Sequence, residues 1–292
     1  MAYPTWQRAR EQVSYSRRVP EQSVLYRIIY HYREEFEHSW DELFSERYGV
    51  LRAEVLEAFD KYLNCGILRH GCAVVCCEEC SHSQLIAFSC KRRGVCPSCQ
   101  AKRAVLFAEN LEEKVLQPYP HRHLIFSIPK RLRVYFRFDR ALFSDLYRAA
   151  WETWKEYVQS FHPEATPGAV MSLHTAGTLL EWHPHLHVMA LDGAFAEDGS
   201  FVELPEIDEK LIEEFFSEKV LEFLLKRELL DEETVLSMKS WEHSGFHFYA
   251  GETVRAEDRD ARLFLGRYLK KPAVGQSRLR VDETTEEPGV VY

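Results

Sequence analysis

The sequence predicts an α+β protein: a helical N-terminal region, a small cysteine-rich module, and a longer segment in which short strands alternate with helices. Three observations carry this. Apolar residues recur at helical spacing over residues 21–63, every cysteine falls in the stretch that follows, and strand-length apolar runs begin at about residue 121. With 292 residues, the chain is near the upper limit for one hydrophobic core, so more than one compact unit is expected.

In the N-terminal region, residues 1–63, Leu25, Ile28, Ile29 and Tyr32 mark one helical face, and Val50, Leu51, Val55, Leu56, Phe59 and Leu63 another. Residues 64–104 change to cysteines, glycines and β-like runs such as 83–88. A helix is expected from about 100 to 116, where Pro118 and Pro120 break the chain. Residues 123–128 read as a strand ended by Pro129, and 140–160 as a helix rich in Leu, Tyr and Trp. Two strands, 169–174 and 179–191, are joined by a turn near Ala176-Gly177; further turns stand at Asp192-Gly193 and Asp198-Gly199. Leu211, Phe215, Val220, Leu221, Leu224 and Leu225 then give a helix within 205–230. Residues 246–250 read as a last strand and 258–269 as a last helix.

Hydrophobic residues make up 46% and charged residues 28%, ordinary for a folded globular chain and unlike a disordered one. No apolar run approaches the ~20 residues that a bilayer requires. The basic start has no apolar core behind it, so neither a membrane protein nor a secreted one is expected, and the expected location is cytoplasmic. The net charge of −9 speaks against a general nucleic-acid binder, but the charge is uneven. Residues 91–103 carry five basic and no acidic side chains, and 122–140 carry six basic side chains against Asp139 alone. Residues 201–234 hold twelve acidic and four basic ones. A basic middle beside an acidic segment leaves a DNA or RNA partner open.

Cys77-Glu-Glu-Cys80 and Cys96-Pro-Ser-Cys99 are separated by fifteen residues, the spacing of a zinc ribbon. Four thiolates complete a closed tetrahedral site, which folds a small module and leaves no position for a reacting water. Cys65, Cys72, Cys76 and Cys90 are either core residues or partners of His70 or His82 at a second ion. Lys91, Arg92, Arg93, Lys102 and Arg103 flank the second pair, either as a phosphate-facing surface or as ordinary solvated charge.

Residues 182–193, WHPHLHVMALDG, place His183, His185 and His187 on one face of a strand, because the side-chain period there is two. Neutral imidazole is the commonest metal ligand, and two on one strand can hold a divalent ion with positions open for substrate. Surface histidines are the plain alternative. Pro184 implies that the strand begins there or lies at an edge. The chain has neither HExxH nor GxxxxGK[ST], so no zincin protease or P-loop is expected.

Near the end, Phe264 and Tyr268 lie four residues apart on one helical face, with Arg267, Lys270 and Lys271 around them. In combination these features resemble the HUH-type rolling-circle transposases of the insertion-sequence ninety-one (IS91-like) family, which carry an N-terminal transposase zinc-binding domain. The resemblance covers nearly the whole chain, through Tyr62-Leu-Asn-Cys-Gly66, Ser89-Cys-Lys91, Cys96-Pro-Ser-Cys99, Ile128-Pro-Lys-Arg-Leu-Arg133, His183-Pro-His-Leu-His187, Asp192-Gly193, His243-Ser-Gly-Phe246 and Gly266-Arg-Tyr268.

The resemblance implies a nuclease domain over 105–292, an antiparallel sheet flanked by helices. It implies His185 and His187 as ligands of Mg2+ or Mn2+, and Tyr268 as the nucleophile that forms a 5′-phosphotyrosine and frees a 3′-OH. It also implies phosphate contacts by Arg267, Lys270 and Lys271. The partners would be single-stranded DNA at mobile-element ends and target DNA, in a nucleoid-associated setting. The third metal ligand is open: His183 is the first choice, with His174 and Asp192 as alternatives. Phe264 occupies the place of the earlier tyrosine of two-tyrosine members, so a single tyrosine is expected to act. The family usually continues beyond the tyrosine helix, whereas this sequence stops at Tyr292. The alternatives are an inactive DNA-binding remnant held by its zinc, and a hydrolase whose histidines activate water and release free 5′-phosphates.

Overall fold

The computed structural model describes residues 18–92, 94–275, 278–282 and 289–291. The chain divides into two compact units: one runs to Arg103 and takes in the segment from Val274 on, and the other is Ala104–Ala273. Mixed helices and antiparallel sheets give the α+β class.

In the first unit, α1 (Val24–Leu43) begins where the Ser23 side chain accepts the Tyr26 N–H, which satisfies a donor that the helix itself cannot. A single turn, α2 (Ser45–Tyr48), leads to α3 (Ala53–Leu63). Tyr26 and Ile29 of α1 share a core with Tyr62 of α3, and Arg33 pairs with Asp60 at 2.8 Å. An antiparallel hairpin follows, β1 (Cys72–Cys76) with β2 (Ser83–Ala87), and α4 (Pro97–Lys114) starts on a proline, whose missing N–H costs a helix nothing at that position. The helical region and the cysteine module, expected as separate segments, share one core: Tyr26, Ile29 and Tyr62 lie together with Cys65, Ile67, Cys96 and Cys99.

The second unit is built on a five-stranded antiparallel sheet of β3 (His121–Ser127), β4 (Thr166–Ala176), β5 (Trp182–Phe195), β6 (Phe201–Glu203) and β7 (His247–Val254). The order is β4-β5-β3-β7, with β6 on the far half of β5. Because side chains alternate along a strand, Leu124, Phe126, Leu186, Val188, Ala190 and Phe248 point to one face. There they meet Trp154 and Tyr157 of α6 (Leu142–Phe161) and Phe216 and Val220 of α7 (Glu209–Lys226). Met189 and Val170 point the other way, against Phe107 and Leu111 of α4 and Leu265 and Leu269 at the end of α9 (Arg259–Tyr268). Helices thus cover both faces, and the histidines lie on the α9 side.

Two smaller helices, α5 (Arg133–Phe138) and α8 (Glu232–Lys239), complete this unit, and residues 280–282 and 289–291 pair as β8 and β9 in the first. The turn between β4 and β5 spans 177–181, later than the Ala176-Gly177 position expected, so Leu179 belongs to it. Pro184 does not place β5 at an edge. The strand is flanked on both sides, and the proline sits in a bulge where His183 and Pro184 together oppose Thr175. Among the described residues no helix is long and apolar enough to cross a membrane.

Candidate metal centres and tyrosine helix

Four thiols converge in the first unit, but they are not the four that spacing selects. Cys65, Cys90, Cys96 and Cys99 have sulfurs all within 4.8 Å of one another. The closest pairs are Cys65–Cys99 and Cys90–Cys99 at 3.6 Å and Cys65–Cys96 at 3.7 Å. A tetrahedron with Zn–S bonds of about 2.3 Å has edges of about 3.8 Å, so these three pairs already stand near the spacing that zinc requires. The Cys96 thiol hydrogen bond draws Cys65 down to about 4, whereas burial pushes Cys90 up to about 11 and its contact with Cys65 pushes Cys96 up as well. Four sulfurs this close in a buried space would become thiolates together only around a cation.

Cys77 and Cys80, the other expected pair, are exposed at the tip of the β1–β2 hairpin, with the Cys77 N–H donating to the His82 carbonyl at 2.9 Å. The open end of the hairpin instead closes on Cys65 and Cys90. The Gly66 N–H donates to the Phe88 carbonyl at 2.9 Å, and the Cys90 N–H donates to the Cys65 sulfur at 3.3 Å. With five paired positions between the two ends, tip and base are ~17 Å apart. Of the flanking cations, Arg92 pairs with Glu57 at 2.6 Å and Arg103 donates to the Lys91 carbonyl at 2.8 Å. Lys91 and Lys102 are exposed, and Arg93 lies outside the described residues.

In the second unit His174, His185 and His187 offer nitrogens within 4.8 Å of one another. Register explains the set: His174 on β4 stands directly opposite His185 on β5. His183, the first choice for third ligand, is outside the group. Its distance from His187 along the strand is ~13 Å, and the bulge at His183-Pro184 breaks the alternation that would align it. Its Nδ1 lies 3.9 Å from Glu181. Asp192, the other alternative, is taken by Arg122, which grips both carboxylate oxygens at 2.8 Å, and by the Thr253 hydroxyl.

Protonation geometry supports a cation. His185 Nδ1 donates to the His183 carbonyl at 2.7 Å, and His174 Nε2 donates to the Leu269 carbonyl at 3.0 Å. Carbonyls only accept, so each ring keeps its lone pair on the other nitrogen, which for His185 is the Nε2 that faces His187. His185 Nε2 and His187 Nε2 face each other at 3.0 Å. Burial, followed by the repulsion that protonating neighbouring imidazoles would bring, holds His123 and His174 at about 4 and pushes His187 further down; burial also lowers His183, to about 4, and His185. All are neutral, ligand-competent rings near pH 7.

This neutrality has a measurable cost in acid. The unfolded chain takes up protons at these rings at the ordinary 6.5, whereas the folded one resists until about 4. Stability from this source is therefore complete above pH 6.5 and is lost as the pH falls toward 4. We expect the melting temperature of chelator-treated protein to start falling between about pH 6.5 and 5, before carboxylates titrate. A flat profile over that window would count against buried neutral imidazoles.

Tyr268 ends α9, and its ring meets two of the histidines edge to face, with centroids 5.1 Å from His187 and 5.3 Å from His123. Gly266 sets this approach: a Cβ there would stand 2.9 Å from the Ala108 Cβ of α4. The Asp258 side chain caps α9 at the Ala261 N–H, and buried Arg262 pairs with Glu112. Phe264, 41% exposed, stacks loosely against Tyr268 with centroids 6.3 Å apart. Lys271 lies 5.0 Å over the Tyr268 ring, Lys270 reaches the Ser172 hydroxyl at 3.4 Å, and Arg267 is exposed.

Residues 35–128 match the family described as the transposase zinc-binding domain, and residues 168–289 match the family described as putative transposase. The chain is 29% identical over 254 residues to the transposase for insertion sequence element IS801 of Pseudomonas savastanoi pv. phaseolicola, covering 82% of this chain and 60% of that protein. Both matched stretches are thus similar to transposase families, and the chain resembles the IS91-like transposases. It is also 31% identical over 129 residues to the putative transposase y4qJ of Sinorhizobium fredii (strain NBRC 101917 / NGR234), covering 44% of this chain and 32% of that one. The chain thus spans less than two thirds of the length of either relative. No solved structure matches it.

Two contributions to the sites carry no signal in the sequence: Cys65 and Cys90 lack a C-x2-C partner, and His123 stands at the start of an apolar strand.

Proposed function

We propose that this chain cuts and rejoins single-stranded DNA at mobile-element ends through a covalent 5′-phosphotyrosine on Tyr268. The observation that carries the reading is the placement of the Tyr268 phenol against His187, within the same face as His174 and His185. His174, His185 and His187 would hold Mg2+ or Mn2+, which when bound polarises the scissile phosphate and offsets the charge that develops there.

The phenol loses its proton as its oxygen bonds to phosphorus. The P–O3′ bond breaks, and the departing 3′-oxygen takes up a proton to become a hydroxyl. Because the phosphodiester is exchanged for a phosphotyrosine ester, the reverse attack by a new 3′-hydroxyl rejoins a strand without ATP. Lys271 beside the ring, with Lys270 and Arg267 on the same helix end, supplies positive charge for the flanking phosphates. Zinc at Cys65, Cys90, Cys96 and Cys99 folds the first unit, whose exposed Lys91 and Lys102 are offered to DNA, including the target. The setting that follows is the bacterial nucleoid.

The test is incubation with single-stranded oligonucleotides carrying candidate element ends plus Mn2+, with a shifted band on a denaturing gel as the readout. His185→Ala should reduce Mn2+-dependent adduct formation ~100-fold or more while leaving zinc content unchanged. Free 5′-phosphate products without an adduct would point to water as the nucleophile, and binding without cleavage to a remnant that only holds DNA.

A further inference from the structure

We propose that His123 is the positioning residue for His187: it accepts the His187 Nδ1 proton and so turns the His187 Nε2 lone pair toward the ion. The inference rests on the ion site proposed above.

His123 Nε2 and His187 Nδ1 are 2.9 Å apart, and both residues are buried, at 7% and 4% exposure. Their ring planes lie within 5° of each other. That alignment suits an in-plane lone pair accepting an in-plane N–H. One nitrogen of each of the other two ligands ends on a carbonyl, of His183 and of Leu269, which fixes its tautomer. His187 alone ends on another imidazole, which can donate or accept.

Two proton arrangements follow. In one, His123 donates to His187 Nδ1, and His187 Nε2–H donates across 3.0 Å to His185 Nε2. In the other the shared proton belongs to His187 Nδ1, His123 accepts it, and both Nε2 lone pairs are free for a cation. An apolar side chain at position 123 would strand the Nδ1–H in a buried site without an acceptor.

The fold builds this contact deliberately enough to be traced. His123 stands opposite Met189, one diagonal step from His187, on the same face of the sheet. On its other side Gly251 and Glu252 of β7 oppose His123 alone, a bulge of the kind that re-aims a side chain. A Cβ on Gly251 would come within 3.3 Å of the His123 carbonyl. The same ring also meets the Tyr268 edge, so one imidazole seats both a ligand and the phenol.

The experiment measures Mn2+ affinity by titration calorimetry, and the Co2+ absorption spectrum, for the full chain and for His123→Ala, His123→Gln and His185→Ala. We expect His123→Ala to weaken Mn2+ binding ~10–100-fold and to alter the Co2+ spectrum, with zinc content and fold retained. His123→Gln, whose side-chain oxygen accepts the same proton, should recover most of the affinity. Wild-type affinity in His123→Ala overturns the inference, as does an equal loss in the Ala and Gln variants, which would make the ring mere packing. Mn2+ binding insensitive to His185→Ala has a different signature: it overturns the ion site itself, and this inference with it.

Discussion

Replacing Tyr268 by phenylalanine is expected to abolish covalent capture of single-stranded DNA, by at least ~10³-fold, as removal of a nucleophile does elsewhere. The change deletes one oxygen and keeps the ring that packs against His123 and His187. Mn2+ affinity, zinc content and melting temperature should therefore stay close to wild type, within about 1 kcal/mol in stability. That combination separates chemistry from folding, because a structural role for the residue would lie mainly in the ring. An undiminished adduct in Tyr268→Phe would move the nucleophile to another of the 14 tyrosines. Phe264 cannot substitute, since it has no oxygen to form the ester.

The second large effect belongs to the thiols. Cys96→Ser or Cys65→Ser is expected to release zinc and unfold the first unit, whose core includes both sulfurs at 0% and 1% exposure. Structural zinc contributes ~10–16 kcal/mol of apparent binding free energy in small domains, far more than such a core supplies alone. Cys77→Ser, at the exposed hairpin tip, should leave that zinc in place and shift stability by no more than about 0.5 kcal/mol. Metal analysis and far-ultraviolet circular dichroism on the variants check this. Zinc lost from Cys77→Ser but kept in Cys65→Ser would restore the ligand set that the spacing alone suggests.

The contrast shows what could be read from the amino-acid order. Periodicity along one element is a local property. The strand bearing His185 and His187 was legible for that reason, as were α6, α7 and α9 with Tyr268 at its end. Contacts that depend on which strand lies beside which were not. His174 joins the site only because β4 pairs with β5 in the register that opposes it to His185, and His123 only because β3 lies on the other side. Cys65 and Cys90 are 25 residues apart and meet because a hairpin returns the chain to its starting point. The C-x2-C pattern at Cys77 and Cys80 is by comparison a short turn, convincing in sequence and remote in space. Asp192-Gly193 is likewise conspicuous as a motif, yet its carboxylate serves an ion pair with Arg122.

Helix α9 is fastened along its whole length: the Asp258 cap at its start, Arg262 locked to Glu112, Gly266 pressed on Ala108, and the Leu269 carbonyl held by His174. A nucleophile mounted there, as proposed, would be held by these contacts instead of swinging between substrates. Under the proposed chemistry the traffic belongs to the polymer, which must thread past a stationary phenol, vacate it and present a fresh terminus in turn.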